Sequence, residues 1–311
     1  LGILAMAGMA LISGLLDIKN RKISPYTLAW LGLTGWSAGF LRGQSAIVRD
    51  QLAFVPSQEW EHLCRQLSIR GQDGVDFIDF IQKKGLEVQW VLETHIHADH
   101  LTGSAYIKEK LGGKSAISKH ILKVLETWEP IFHNEADTPT NGYQFDHTFA
   151  DDEPFTVGPF EAHIIHTPGH TPADTSYIIG DAVFVGDSMF LPDVGTGRCD
   201  FPGGSAEHSY ESSRKLLNLP EDYRMYVGHD YPPNNSRAPQ CMATIGEQKR
   251  ANVRVHEGVT KEQYVSKRNK DDHGKEVPKL LLPSIQVNLR GGTFGQATDG
   301  VQYVKIPVDK I

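Results

Sequence analysis

From Asp76 onward the spacing of apolar residues changes in a regular way. In "DFIDFIQKKG" Phe77, Phe80 and Ile81 recur at helical spacing, and Gly85 stands where a helix would close. "LEVQWVLE" switches to a period of two, Val88, Trp90 and Leu92 alternating with polar neighbours, which predicts a strand. "TGSAYIKEKLGG" predicts a helix stopped by glycine, and "KSAIS" a short strand. "KHILKVLETW" predicts a second helix with Ile121, Leu125 and Trp128 on one face. "FTVGPFEAHIIH" predicts two strands that feed a loop. "SYIIGDAVFVGD" predicts a hairpin turning at Gly180-Asp181, its arms so apolar that both faces should be covered. "SAEHSYESSRKLLNLP" predicts a helix and "YRMYVGHD" a strand. Residues 261–279 are densely charged and predict a solvated helix or loop, whereas "PSIQVNLRGG" and "VQYVKIPV" predict late strands. Alternating strands and helices with hairpins between them fit two packed sheets with helices outside.

The start of the chain follows a different pattern. Residues 1–16 and 23–41 carry no charge and are separated by "DIKNRK". The second run approaches the ~20 residues that span a bilayer. Residues 1–42 are therefore expected to form a separate hydrophobic segment, a membrane hairpin with a basic loop or an extension foreign to the domain. Buried core helices are the plainer alternative, and Pro25 and the glycines weaken the membrane reading. A catalytic domain is expected over residues 43–311, cytoplasmic and attached to the membrane only through residues 1–42.

Composition narrows the classes of function. With 40% hydrophobic and 22% charged residues the chain is an ordinary globular one. A net charge of −7 argues against a nucleic-acid partner, which calls for a basic stripe. The three cysteines, Cys64, Cys199 and Cys241, are odd in number and include no C-x-x-C, so a reducing compartment fits better than a disulfide framework. The count of 14 histidines points towards metal chemistry.

The sharpest signal is "ETHIHADHLTG". His95 and His97 stand two apart at the end of a strand, so their rings project the same way, and Asp99 and His100 follow on the turn. "HTPGH" then offers His170 after a stiff proline and a permissive glycine. "VFVGD" ends an apolar strand in Asp187, a carboxylate that is costly to bury without a cation. "YVGHD" ends another strand in His229. A lone histidine at a strand end is usually a hydrogen-bonded core residue. Four such pieces in this order predict a metal site.

H-x-H-x-D-H, T-P-G-H, G-D and G-H-D in succession resemble the metallo-β-lactamase fold, an α/β architecture arranged as an αββα sandwich. Within it the chain is most similar to the persulfide dioxygenases, or sulfur dioxygenases, a branch that includes bacterial proteins labelled β-lactamase hydrolase-like. "THIHADHLTGSAYIKEKLGG", "HTPGHTPADTSYIIGD", "FVGDSMFLPDVGTGRCDFPGG", "VGHDYPP" and "LPSIQVNLRGG" carry the resemblance, which runs over about residues 76–308. The G-R-x-D-F segment, Gly197 to Phe201, is the most specific part. The match departs at the start, where family members open with a hairpin ending in Ile-Asp-Pro and this chain has only "AIVRD".

The resemblance implies one Fe(II) per chain on His95, His170 and Asp187, with three coordination positions left for substrate, dioxygen and water. His97, Asp99, His100 and His229 would then orient ligands and waters. The same residues also suit two zinc ions. His95, His97 and His170 would hold one, Asp99, His100 and His229 the other, with Asp187 bridging, for hydroxide attack on a thioester or lactam. Ligand counting does not separate the two; "GRCDF" and the C-terminal match favour iron. The implied substrates are glutathione persulfide and O₂, giving sulfite and glutathione. Arg198 is a candidate anchor for a tripeptide carboxylate, in a site that includes Asp200, and an Arg198–Asp200 pair is the structural alternative. Cys199 is expected to be a small half-buried residue without redox function. A homo-oligomer is expected, with no nucleic-acid partner. A non-catalytic metal-binding protein is a third reading, weakened by the open coordination positions.

Overall fold

In the computed structural model the described residues are 78–307 except 80, 84, 134–136, 239 and 297–300, together with the backbone of three short strands upstream. Those strands are β1 (Leu11–Ser13), β2 (Leu16–Asp17) and β3 (Lys22–Ile23). The first sheet adds β4 (Trp90–Leu92), β5 (Lys114–Ser118) and β6 (His147–Phe149) in the order β1-β4-β5-β6. β4, β5 and β6 are parallel to one another, so their C-terminal ends share one rim, while β1 runs antiparallel to β4. α1 (Ser104–Leu111) and α2 (Ile121–Phe132) make the crossovers.

The second sheet contains β7 (Pro154–Val157), β8 (Phe160–His166), β9 (Thr175–Ile179), β10 (Ala182–Phe184), β11 (Arg224–Tyr226) and β12 (Met242–Thr244). They lie in reverse sequence order, antiparallel throughout except for the β10–β11 pair. α3 (Ala206–Leu217) supplies that crossover, and α4 (Ile245–Ala251), α5 (Lys261–Asp272) and α6 (Leu281–Leu289) follow. The predicted hairpin is β9–β10. It pairs Ile179 with Ala182, and Gly180 takes the left-handed conformation (φ +60°) that the tight turn needs.

Four apolar clusters stack the layers. Leu92, Ala116 and Phe149 of the first sheet meet Ile164, Tyr177, Ile179 and Phe184 of the second in the central core. On the outer face of the second sheet, Ile178, Val183 and Met225 pack against Leu216 of α3, Ile245 of α4 and Tyr264 of α5. Ile117 of the first sheet packs against Val124, Leu125 and Trp128 of α2 and Ile285 and Leu289 of α6, while Val91 meets Ile107 of α1. The layers are therefore αββα. Every residue of β9 and β10 is buried, as strands covered on both faces require.

Three expectations need correction. "PSIQVNLRGG" is helix α6, not a strand. Its alternation misleads because the polar positions are buried too: Gln286 donates to the carbonyls of Leu282 and Lys305, and Asn288 points into the first sheet's loops. Residues 301–307 hold one isolated bridge, at Val301, and no strand. The charged run 261–279 is only partly solvated, since α5 buries Tyr264, Arg268 and Asp272. The hydrophobic-segment expectation for residues 1–42 lies outside the described residues apart from the three short strands. Among the described residues no helix is long and apolar enough to cross a membrane.

Candidate metal centre

All the histidines and acids singled out by the motifs arrive from strand ends on one rim. β4 delivers the loop that bears His95, His97 and His100, all buried, and Asp99, which reaches the surface. β8 runs into the T-P-G turn that presents His170. A side chain at Gly169 would come within 2.5 Å of Ser209 Cα, so only glycine lets the turn pass α3 so closely. Beyond β10, Gly186 adopts φ +51° and turns Asp187 inward. His229 follows β11. A Cβ on the preceding Gly228 would lie 2.7 Å from Asp187 Oδ1, so its absence leaves room for the carboxylate.

Asp99 Oδ1 lies 2.8 Å from His100 Nδ1, but around Asp187 the imidazole nitrogens gather at distances too long for hydrogen bonds. Asp187 Oδ2 lies 4.0 Å from His95 Nε2, 3.7 Å from His170 Nε2 and 3.7 Å from His229 Nε2. Ligand atoms of His95, His170 and Asp187 all fall within 4.8 Å of one another, and so do those of His97, Asp99 and His100. Asp187 Oδ1 and both ring nitrogens of His97 are buried without a hydrogen-bond partner. Orphaned polar atoms so concentrated would be costly in a finished interior, and a cation is the group that satisfies them. The residues fit a metal centre.

Neighbouring groups prepare the ligands. His170 Nδ1–H donates to the Arg198 carbonyl at 2.7 Å, which leaves Nε2 with its lone pair towards Asp187. His95 Nδ1 lies 3.0 Å from the Thr94 hydroxyl. Asn288 of α6 donates to the carbonyls of His97 and His100, both at 2.9 Å, and accepts from the Thr102 amide at 2.8 Å. One side-chain amide thus holds both ends of the histidine turn. Burial, reinforced by the adjacent histidines, holds His95 and His97 well below the ordinary histidine value, in the neutral form that ligates metal. Burial opposes ionisation of Asp99, but His100 outweighs it and keeps the carboxyl well below its usual range. Glu93 behaves oppositely: burial pushes it to about 7 despite a hydrogen bond from Thr102, and its Oε2 lies 3.7 Å from His97 Nε2.

A cavity of about 340 Å³ opens over the cluster. Asp99, His170 and Asp187 form part of its floor, and Arg198, Arg254 and Lys275 part of its wall. Arg198 is engaged with Asp200 through two contacts of 2.6 Å, donates to the Glu276 carbonyl and stacks on Phe201. The pair foreseen as the structural alternative is present, and Arg198 is among the residues that line the cavity. Cys199 is buried, with its thiol pushed up to about 12 by burial, so it is not a thiolate. Asn288, Arg254 and Lys275 were not found from the sequence. For Asn288 a polar residue amid an apolar run was the available signal; for the two cations nothing local distinguishes them from surface charge.

A metal-ligand cluster at the rim of an αββα sandwich defines the class, that of a metal-dependent enzyme. The chain belongs to the metallo-beta-lactamase superfamily, whose family model matches residues 64–229. It is 47% identical over 241 residues to Glyoxylase B2 of Dictyostelium discoideum, covering 76% of this chain and 82% of that protein. The Beta-lactamase hydrolase-like protein of Agrobacterium fabrum is 42% identical over 233 residues, 75% of this chain; the match spans 53% of that relative. The crystal structure of ETHE1 from Myxococcus xanthus superposes with a TM-score of 0.57 at 28% identity, covering 71% of this chain and 85% of that one.

Proposed function

We propose that the protein is an iron-dependent persulfide dioxygenase that oxidises glutathione persulfide with O₂ to sulfite and glutathione. The observation that carries this reading is the set His95, His170 and Asp187, two imidazoles and one carboxylate gathered within 4.8 Å beneath an open cavity. Such a set suits Fe(II) and leaves positions open on one side. Likeness to ETHE1 adds support. Iron bound there would supply the redox chemistry that joins the outer persulfide sulfur to dioxygen. The reaction balances as persulfide, O₂ and water giving thiol and sulfurous acid, the sulfur oxidised and the dioxygen reduced.

The chain's own residues do the rest. His97, His100 and His229 line the space beside the ligands and hold waters and protons in place. The wall cations Arg198, Arg254 and Lys275 line the cavity where a tripeptide's two carboxylates would lie. Each is steadied by an aspartate: Arg198 by Asp200, Arg254 by Asp271 and Lys275 by Asp272. Holding the persulfide sulfur over the ligand set converts a bimolecular encounter into a positioned one.

A second reading rests on the second cluster, His97, Asp99 and His100, also within 4.8 Å. With His229 Nε2 3.5 Å from Asp99 and 3.7 Å from Asp187, two zinc ions and hydrolysis of a glutathione thioester are the alternative. Zinc has no redox chemistry to offer, so oxygen separates the two. Fe(II)-loaded protein should consume O₂ with glutathione persulfide and release sulfite, and zinc-loaded protein should not. No oxygen uptake by the iron form, alongside brisk thioester hydrolysis by the zinc form, would replace the first reading with the second.

A further inference from the structure

Away from the catalytic cluster, a second group of ligating side chains gathers on the same rim. His120 follows β5, Asp151 follows β6 and His166 ends β8, so three strand ends from two different sheets meet. Ligand atoms of the three lie within 4.8 Å of one another. His120 Nε2 is 2.8 Å from Asp151 Oδ1, and His166 Nδ1 is 3.9 Å from Asp151 Oδ2, beyond hydrogen-bond reach. The two imidazoles lie face to face with centroids 3.7 Å apart and planes 10° from parallel. We propose that His120, Asp151 and His166 form a second metal site, separate from the catalytic cluster, that takes a borderline divalent ion such as Zn²⁺ and clips the two sheets together.

The donor chemistry supports this. Two imidazoles and one carboxylate are a zinc-type set. An ion would take the place of the proton that His120 Nε2 donates to Asp151, and the stacked rings would open to bring both lone pairs onto it. His166 Nε2–H donates to the Pro172 carbonyl at 3.0 Å, which fixes the tautomer and leaves the Nδ1 lone pair facing the gap. Burial holds His166 below the ordinary histidine value, and so neutral. Partial burial works against Asp151, but the hydrogen bond from His120 keeps its carboxyl below the usual range. All three sit on fixed backbone. The Lys119 amide donates to the Phe149 carbonyl at 2.8 Å, joining the ends of β5 and β6. Glu153 closes the turn that carries Asp151, accepting from the Ala150 amide and from His147 Nε2, both at 2.7 Å. Lys119 and Lys215 are the nearby opposing charges, and Lys215 is turned to the His166 carbonyl at 3.1 Å. Because Pro172 lies two residues beyond His170, an ion here would also steady the turn that presents His170 to the catalytic cluster. None of this depends on which reaction that cluster performs.

The test uses purified full-length protein with its catalytic metal in place and Zn²⁺ alone as the probe. Calorimetric titration should detect one further equivalent in the wild type. His120→Gln, Asp151→Asn and His166→Gln should each weaken that equivalent at least tenfold while keeping the catalytic metal content. In the wild type, Zn²⁺ should also protect His120 and His166 from diethyl pyrocarbonate, read by peptide mass. That second measurement needs no variant, so a misfolded substitution leaves the proposal testable. Superimposable titrations of wild type and folded variants, or unchanged modification of both histidines at saturating Zn²⁺, would overturn it.

Discussion

Asp187 is the residue on which the geometry of the candidate metal centre turns, because its carboxylate faces His95, His170 and His229 at once. Asp187→Ala should abolish metal binding and activity together; full metal content in that variant, measured per chain, would refute the ligand assignment. Asp99→Asn distinguishes one ion from two. With a single iron it should keep the metal and lower the rate, whereas loss of half the bound metal would indicate two. Glu93 gives a prediction of opposite sign to that of the buried histidines. Its folded value of about 7 exceeds the ordinary 4.5, so the native state holds the extra proton between those values. Stability of the metal-free protein therefore falls as pH rises through that window, by at most about 3 kcal/mol. His95 and His97, lowered by burial, make it fall as pH drops below about 6.5. Glu93→Gln removes only the first effect. Its Tm should exceed that of the wild type by several degrees at pH 8, and the gain should vanish below pH 4.5 in thermal melts. At this scale the cluster of candidate ligands was legible in the sequence because His95 to His100 are spaced by local geometry. Asn288 was not, since its partners stand 191 and 188 positions away.

Among the elements, α5 and α6 were the ones the sequence disguised. α6 alternates apolar and polar residues as a strand would, yet its polar side chains are spent on buried backbone groups rather than on solvent. α5 is charged enough to look solvated, yet Arg268 is fully buried against Asp272, four residues on. Asp272 also accepts from the Cys199 amide at 2.9 Å, so the pair fastens the G-R-x-D-F loop to the helix. Asp272→Ala should cost about 3–5 kcal/mol in urea denaturation, because it strands a buried guanidinium. Arg268→Met combined with Asp272→Leu should recover much of that loss. A double variant no more stable than Asp272→Ala would show that the Cys199 contact, not the ion pair, carries the effect. Most of the remaining elements from α1 to β11 were legible, α1 from its closing Gly112 and α3 from its Ser205 cap, but β6 was not, since three residues are too short a run to show a period.

For the whole molecule, the order of the motifs conveyed the sandwich better than any periodicity, because each motif sits at a strand end and the strands can share one rim in few ways. Residues 1–42 are the part the family pattern does not reach. Removing them should leave a folded protein with unchanged metal content, since the candidate metal ligands all lie beyond residue 94. The loss of β1 would free the edge of β4, so a modest drop in Tm is expected. Aggregation of the truncated chain in size-exclusion chromatography would instead mean that these residues cover apolar surface the rest requires.

The Asn288 amide that spans the His97 and His100 carbonyls has a consequence for biosynthesis. The histidine turn leaves the ribosome long before the residue that clamps it, so for most of translation its imidazoles are presented on a slack loop. A nascent chain halted ahead of α6 would offer nitrogen donors without the spacing that discriminates between ions, and any metal caught then would be held by availability rather than by fit. Selectivity thus arrives last, with the docking of one short helix. Ribosome-bound chains stalled before residue 281 should exchange metal freely, and released full-length chains slowly.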